Sequence, residues 1–367
     1  MTPSLGSIDW HGFLARPPLP TPSPETISSL IHHPILITGG GGSIGSALAL
    51  RLASHGAQII LLEASENSLY GLQRDFANLL HSHHPVFYLG SVADRALLDE
   101  IFSLHHPRLV FHAAAYKHVP LIEDQPLAAI ANNIFATEDL VTAASANHTR
   151  LVLLSTDKAV APASIMGATK RVAEQLILSS NGTVLRLGNI LASHGSVTEV
   201  FACQIATGIS LTVTDPAARR YFLTIGEAVD LLISAAAETR RPTLLAPQLH
   251  APHYIADLAR FMARSLAPNR EVSIEFTHLR AGDKETEQLW SANETPHPAN
   301  ANGLVSLDSP SIALGQLQSL LATLRDAVHM RDFSAALGLL RVLVPDYTPS
   351  NAVLMQRSTA SSQVSNE

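Results

Sequence analysis

The run Thr38-Gly39-Gly40-Gly41-Gly42-Ser43-Ile44-Gly45 stands between a β-branched stretch, Ile35-Leu36-Ile37-Thr38, and a helix-like stretch over 46–55. Glycines at 39, 42 and 45 space it as G-x-x-G-x-x-G. Few folds take a strand through such a turn straight into a helix. Gly39 permits the tight turn, and Gly45 lets the helix pack closely on the strand it has just left. Gly42 opens the backbone N–H groups of the helix start to an anion. A bare glycine turn would need neither flank, so the flanks carry the weight of the reading.

The pattern then repeats. A strand-like run over 58–62 is followed by a helix-like 65–80 and by Val86-Phe87-Tyr88-Leu89. Another helix leads to Leu109-Val110-Phe111-His112-Ala113, and a helix near 128–146 precedes a strand over 151–154. This alternation predicts a parallel sheet covered on both faces. Right-handed crossovers make it a doubly wound, Rossmann-type α/β fold. Beyond Gly188 the alternation loosens. The expected organisation is a Pro-rich extended arm over 1–30 and a Rossmann domain over 31–188. Residues 216–246 return to that domain through a helix over 225–237 and a strand over 242–245. A smaller, discontinuous substrate lobe takes 189–215 and 247–290. A helical extension over 291–356 and a disordered polar tail over 357–367 complete the chain.

Composition narrows the function classes. Apolar residues make up 46% of the chain and charged residues 15%, which is a globular balance. The net charge of -7 leaves no basic field for nucleic acid. No apolar run of about 18 residues is present, so no membrane span is expected. The N-terminus lacks the basic and apolar regions of a signal peptide. Cys203, the single cysteine, excludes an intrachain disulfide and fits a reducing compartment, the cytoplasm. It lies in the apolar run 200–205 and is expected to be a buried small hydrophobe. Among 18 histidines, His81-Ser82-His83-His84 and His105-His106 stand before prolines in expected surface loops. They have no Cys, Asp or Glu partners at ligand spacing, so no metal is expected.

Two regions point to chemistry. Glu63 ends the second strand about 20 residues after the glycines, where a carboxylate accepts hydrogen bonds from an adenosine ribose. It would repel a 2′-phosphate, which favours NAD+ over NADP+. Ala113-Ala114-Ala115 ends the fourth strand. Small side chains there let a cofactor lie against the backbone, with Lys117 in reach of its phosphates or ribose; tight strand packing would explain the same alanines. Farther on, Ser155-Thr156-Asp157-Lys158 follows the fifth strand and Met166-Gly167-Ala168-Thr169-Lys170 opens the next helix. Met166 and Lys170, four apart, share a helix face. A solvated ion pair is the plain reading of Asp157-Lys158, but active sites in open parallel sheets collect at such carboxyl ends.

Further segments join these into a set: His112-Ala-Ala-Ala-Tyr-Lys-His-Val-Pro120, Asn132-Asn133, Arg186-Leu-Gly-Asn189, Arg220-Tyr-Phe-Leu-Thr-Ile225 and Leu279-Arg-Ala-Gly-Asp-Lys284. Together they resemble the extended short-chain dehydrogenase/reductase family. Within it they resemble the polysaccharide-biosynthesis nucleotide-sugar 4,6-dehydratases, over nearly the whole chain. Residues 8–17 resemble the linker before the catalytic domain of longer, membrane-anchored members, and 342–350 resemble their closing segment.

The resemblance implies conversion of UDP-N-acetylglucosamine, or a related UDP-sugar, to its 4-keto-6-deoxy form for surface polysaccharide or glycan biosynthesis. C4 is oxidised, water leaves across C5 and C6, and hydride returns to C6. The implied NAD(P)+ site comprises Gly39, Gly42, Ser43, Ile44, Gly45, Glu63, Val92, Ala113, Ala115, Lys117, Asn133 and Lys170. Asp157 is the implied acid and Lys158 the C5 base; Ser155, Thr156 and Lys170 remain to hold the C4 oxygen and the cofactor, and Met166 takes the catalytic Tyr position. Asp157 would then need its pKa raised by desolvation. Lys158 would need its own lowered, and the cation Lys170 would push that way. The implied substrate residues are His118, Asn189, Arg220, Arg280 and Asp283; Arg suits a diphosphate, and Asp283 suits a uridine ribose. A homo-oligomer is expected, with the arm and C-terminal helices as candidate contacts.

Departures from the family pattern bear on specificity. Met166 stands where the proton-transferring Tyr usually stands, and Met carries no proton. A subset of these dehydratases shares the Met. Ser91, Ala136, Ala281 and Asp283 replace the common Asp, Gly, Pro and Glu. Two other readings stay open. A C4-epimerase or 4-keto reductase would need neither a C6 acid nor a C5 base. A catalytically silent dinucleotide-binding regulator is the reading that Met166 favours.

Overall fold

The computed structural model describes residues 5–79, 84–300, 303–310 and 312–355. Six strands alternate with helices: β1 (Ile35–Thr38), β2 (Ile59–Glu63), β3 (Val86–Leu89), β4 (Leu109–His112), β5 (Arg150–Thr156) and β6 (Thr183–Leu187). Shorter strands follow: β7 (Asn189–Ile190), β8 (Leu211–Val213), β9 (Arg219–Arg220) and β10 (Phe222–Leu223). The last five are β11 (Thr243–Pro247), β12 (His253–Tyr254), β13 (Ile274–Phe276), β14 (Thr295–Pro298) and β15 (Leu304–Asp308).

The main sheet has nine strands in the order β14-β15-β11-β6-β5-β4-β1-β2-β3. Neighbours from β3 to β11 are parallel. β15 and β14 add an antiparallel edge. β1, β4 and β6 are buried at every position, as strands covered on both faces must be. Ile35, Ile37, Leu48 and Leu52 build one apolar layer with helix Ile225–Ala237. Leu36, Val110, Phe102, Leu140 and Ile177 build the other. The fold is thus the Rossmann-type doubly wound sheet. Its strand order reverses between β1 and β4, and ligands of such sheets bind at the carboxyl side of that reversal.

A second apolar cluster gathers Phe201, Leu211, Val213, Leu258 and Met262 from helices Val197–Thr207 and Ile255–Leu266 and from β8. β8 pairs with β13, β9 with β12, and β7 with β10. Helices Leu314–His329 and Phe333–Leu343 pack against Ile165, Met166, Ala168 and Val172 of the helix after β5.

Four expectations need correction. The N-terminal segment is not an extended arm: it forms short helices, Trp10–Leu14 and Pro24–Leu30, and buries Ile8, Phe13, Leu14, Ile27 and Leu30. Apolar side chains between its prolines give it a reason to pack. Residues 291–356 are not helical throughout, since 295–298 and 304–308 are strands. Pro296 and Pro298 read against a strand, but β14 is an edge strand, where a missing N–H is tolerated. Cys203 is exposed, because Phe201, Ala202 and Ile205 form the buried side of its helix. His105 is no loop residue: it ends helix Arg95–His105, and its Nε2 lies 2.8 Å from the Tyr88 hydroxyl. His81, His83 and the polar tail lie outside the described residues. Among the described residues no helix is long and apolar enough to cross a membrane.

Candidate active site

β1 runs into helix Ser43–Ala53 through the glycines. Gly39 has φ +69°, and a Cβ on it would stand 2.6 Å from the Ala114 backbone nitrogen. A Cβ on Gly45 would collide with the Gly39 carbonyl. Gly42 caps the helix with no side-chain bond, so the first N–H groups keep their capacity for an anion. Glu63 at the end of β2 braces this turn: its carboxylate accepts from Gly41 N at 2.9 Å and from Ser65 N at 2.8 Å. The cradle has the shape and polarity that a dinucleotide pyrophosphate requires.

The chain beyond β4 forms the opposite wall. Asn133 accepts from Tyr116 N at 2.8 Å and donates to Tyr116 O at 3.1 Å, holding the segment that carries Lys117 and His118. Asn133 lies in a π-helical turn, Ala131–Phe135, and also donates to Thr169 Oγ1 at 3.1 Å. Ala113 and Ala115 are half-buried, whereas Val92 is buried in the core. A loop after β7 reaches over the crevice. His194 N donates to Ser43 Oγ at 2.9 Å, and Lys117 Nζ donates to His194 O at 2.6 Å. That loop joins the two walls.

β5 ends in Thr156, and a single 3-10 turn, Asp157–Ala159, presents the next two residues. Asp157 is fully buried. Its Oδ1 accepts from Thr156 Oγ1 at 2.9 Å and from Lys158 Nζ at 3.0 Å, while Oδ2 is buried without a hydrogen-bond partner. Burial raises its pKa, and the Glu287 charge adds to that against the pull of Lys158. Lys158 Nζ also donates to Asn189 Oδ1 at 3.0 Å. The expected lowering of the Lys158 pKa is contradicted. Burial pulls it down, but the carboxylates of Asp157 and Glu287 outweigh burial and hold it above the usual lysine range. Lys170 does not supply the expected push. Its ammonium donates to Leu154 O at 2.8 Å, and burial lowers its own pKa to about 8.

Other expected residues divide into two groups. Arg220 is buried in this cluster, with its guanidinium on the carbonyls of Arg219 and Glu285. Arg280 and Asp283 pair with each other at 3.0 Å on a more exposed turn. Met166 is buried among apolar neighbours at the start of helix Ile165–Ser179. Sequence reasoning missed Glu287, Tyr221 and His194. Glu287 follows Lys284 by three residues and pairs with it at 2.9 Å, a spacing that could have flagged it. Among the described residues no group of three or more His, Cys, Asp or Glu is placed to hold a metal.

A family model described as "Polysaccharide biosynthesis protein" matches residues 35–307. The chain is 38% identical over 301 residues to the probable polysaccharide biosynthesis protein EpsC of Bacillus subtilis, covering 79% of this chain and 50% of that protein. It is 36% identical over 306 residues to the capsular polysaccharide biosynthesis protein CapD of Staphylococcus aureus, covering 80% and 51%. It therefore spans about half the length of these two relatives. A UDP-glucose 4-epimerase of Rickettsia rickettsii is 34% identical over 280 residues, covering 72% and 79%. Among solved structures, Pen from Bacillus thuringiensis superimposes with a TM-score of 0.68 at 25% identity, covering 80% and 98%. A UDP-glucose 4-epimerase of Thermotoga maritima, solved with UDP-glucose, shares the fold at a TM-score of 0.62 and 20% identity, covering 71% and 90%.

Proposed function

Since this chain belongs to the polysaccharide biosynthesis protein family, we propose that it is an NAD(P)-dependent nucleotide-sugar 4,6-dehydratase acting on UDP-N-acetylglucosamine or a related UDP-sugar. The observation that carries the reading is the pair of buried Asp157 and half-buried Lys158 at the carboxyl end of β5. Hydride exchange at C4 alone needs no such pair. Elimination of water needs one group to take the C5 proton and another to protonate the leaving C6 oxygen.

The nicotinamide cofactor, when bound, accepts hydride from C4 and returns it to C6. Gly39, Gly42 and Gly45 would hold its pyrophosphate at the helix start, and Glu63 its ribose, which favours NAD+. Met166 cannot take the C4 proton. Thr156 donates to Asp157 Oδ1, so its hydroxyl relays that proton to the carboxylate and loads the acid. With Asp157 neutral, the larger of the two pulls that keep Lys158 charged is gone, and Glu287, shared with Lys284, alone opposes the effect of burial. Lys158, whose side chain keeps 21% exposure, then releases its proton to solvent. In the elimination the neutral amine takes the C5 proton while Asp157 protonates the departing hydroxyl, giving water. Lys158 returns a proton to C5 as hydride reaches C6. One solvent proton then restores the resting pair. Arg220 and Asn189 bind the substrate beside this pair, and Arg280 and Asp283 its nucleotide end.

The test is incubation of the purified protein with UDP-N-acetylglucosamine in deuterated water, followed by mass spectrometry and NMR. A 4-keto-6-deoxy product carrying deuterium at C5 is expected. Unchanged sugar in the presence of bound cofactor would overturn the proposal. A C4-inverted sugar would establish the second reading, an epimerase, which the likeness to UDP-glucose 4-epimerases favours.

A further inference from the structure

Lys158 lies between two buried carboxylates. Asp157 Oδ1 is 3.0 Å from its Nζ and Glu287 Oε1 is 3.7 Å away. The two acids differ in what else holds them. Glu287, 2% exposed, is clasped by Lys284 at 2.9 Å, and Lys284 is itself anchored on Val160 O at 2.8 Å. Asp157 has the Thr156 hydroxyl but no cation beyond the Lys158 that both acids share; Asp157 Oδ2, like Glu287 Oε2, makes no hydrogen bond. Two anions crowded into one dry site do not share charge evenly: the one with its own counter-cation keeps the charge, and the other is the easier to protonate.

We propose that Glu287 is the positioning residue of the acid–base pair: it stays the fixed anion of the cluster, so that Asp157 is the carboxyl that takes up and delivers a proton. The inference rests on the dehydratase reading for its role in turnover, but its electrostatic content is testable without turnover. The groups facing the cluster are Thr156 from β5, Lys158 from the turn after it, Arg220 and Tyr221 from β9 and the chain after it, Asn189 from β7, and Lys284 from the segment that carries Glu287. Lys170 approaches β5 from its helix and is anchored on Leu154 O. Removing the negative charge of Glu287 leaves this set with Asp157 as the sole anion among three cations, which holds Asp157 ionised.

The experiment compares wild type with Glu287→Gln and Glu287→Asp. The protonated-carboxyl infrared band of Asp157, identified by its loss in Asp157→Asn, is followed against pH in the cofactor-bound protein. In Glu287→Gln the band should disappear at least one pH unit lower than in wild type; Glu287→Asp should restore most of the difference. In turnover, Glu287→Gln should lose about tenfold or more in kcat with little change in KM, and the high-pH limb of kcat should move to lower pH. Retained cofactor and an unchanged circular dichroism spectrum establish that each variant is folded. An Asp157 band that titrates at the same pH in Glu287→Gln and wild type would overturn the proposal. If wild type gives no 4-keto-6-deoxy sugar, the dehydratase reading fails, while the infrared comparison still decides the role of Glu287.

Discussion

At Gly39 the turn leaves no room for substitution. Its φ of +69° is one that L side chains avoid, and the space its Cβ would need belongs to the Ala113–Ala114 backbone. Gly39→Ala therefore carries strain of about 1–3 kcal/mol and pushes apart the two walls of the crevice. On the dinucleotide reading, we expect the NAD(P)+ retained through purification to fall about tenfold, read by absorbance of the denatured supernatant. Undiminished cofactor would show that the turn is not its seat. The same scale shows what a sequence can disclose. Gly39, Glu63 and the Asp157-Lys158 dipeptide are legible because their neighbours along the chain define them. The protonation of Lys158 is not, because the fold presses the buried Asp157 carboxylate against it and brings Glu287 from a remote segment, and together they reverse the direction that a neighbouring lysine suggested. Exposure of Cys203 depends on which face of its helix meets the lobe, and a short apolar run does not specify that face.

Between elements, a buried ion cluster ties the edge of the sheet to the helix that carries Met166 and Lys170. Arg186 of β6 is fully buried and donates to Glu174 at 2.8 Å and 2.8 Å and to Glu294 at 2.7 Å and 2.9 Å. Glu174 also accepts from Ser155 Oγ at 2.6 Å, one residue before Thr156. The cluster thus joins helix Ile165–Ser179, the end of β5 and the turn before β14. Arg186→Met leaves two buried carboxylates to share Arg171, which pairs with them at 2.9 and 3.1 Å, and should cost about 3–5 kcal/mol, measured by denaturant unfolding. Burial alone would raise the Glu294 carboxyl, but Arg186 brings it down to about 2. Its stabilising share is full above about pH 4.5 and is lost as pH falls through about 2. The acid branch of the stability curve should flatten in Arg186→Met; an unaltered branch would assign it to other carboxylates. The parallel strands were legible as apolar runs between helices. β14 was not, since two prolines hide a strand whose N–H groups need no partner on the outer side.

Across the whole molecule, the N-terminal segment connects regions that the sequence reading kept apart. Phe13 packs on Phe222, Phe261 and His253 at ring separations of 5.9, 5.4 and 5.1 Å, within the smaller apolar cluster. A few residues on, Arg16 pairs with Glu227 at 2.6 Å at the start of helix Ile225–Ala237, and Leu19 N donates to the same carboxylate at 3.1 Å. Ile27 and Leu30 then enter the core of the main sheet. Prolines spaced through this segment suggested an extended arm; they stiffen a strap whose apolar side chains dock at intervals. Truncation of a buried Phe costs about 3–5 kcal/mol, and that loss should fall on the cluster Phe13 belongs to. In Phe13→Ala, hydrogen exchange should quicken in helices Val197–Thr207 and Ile255–Leu266 and stay unchanged in β1 and β4. Arg220 stands in β9, two residues before Phe222, and β9 pairs with β12, so on the proposed reading of Arg220 as a substrate residue the KM for the UDP-sugar should rise about tenfold while cofactor retention holds. Equal quickening in β1, or loss of cofactor with the sugar, would mean that the strap supports the whole fold rather than the substrate side of it.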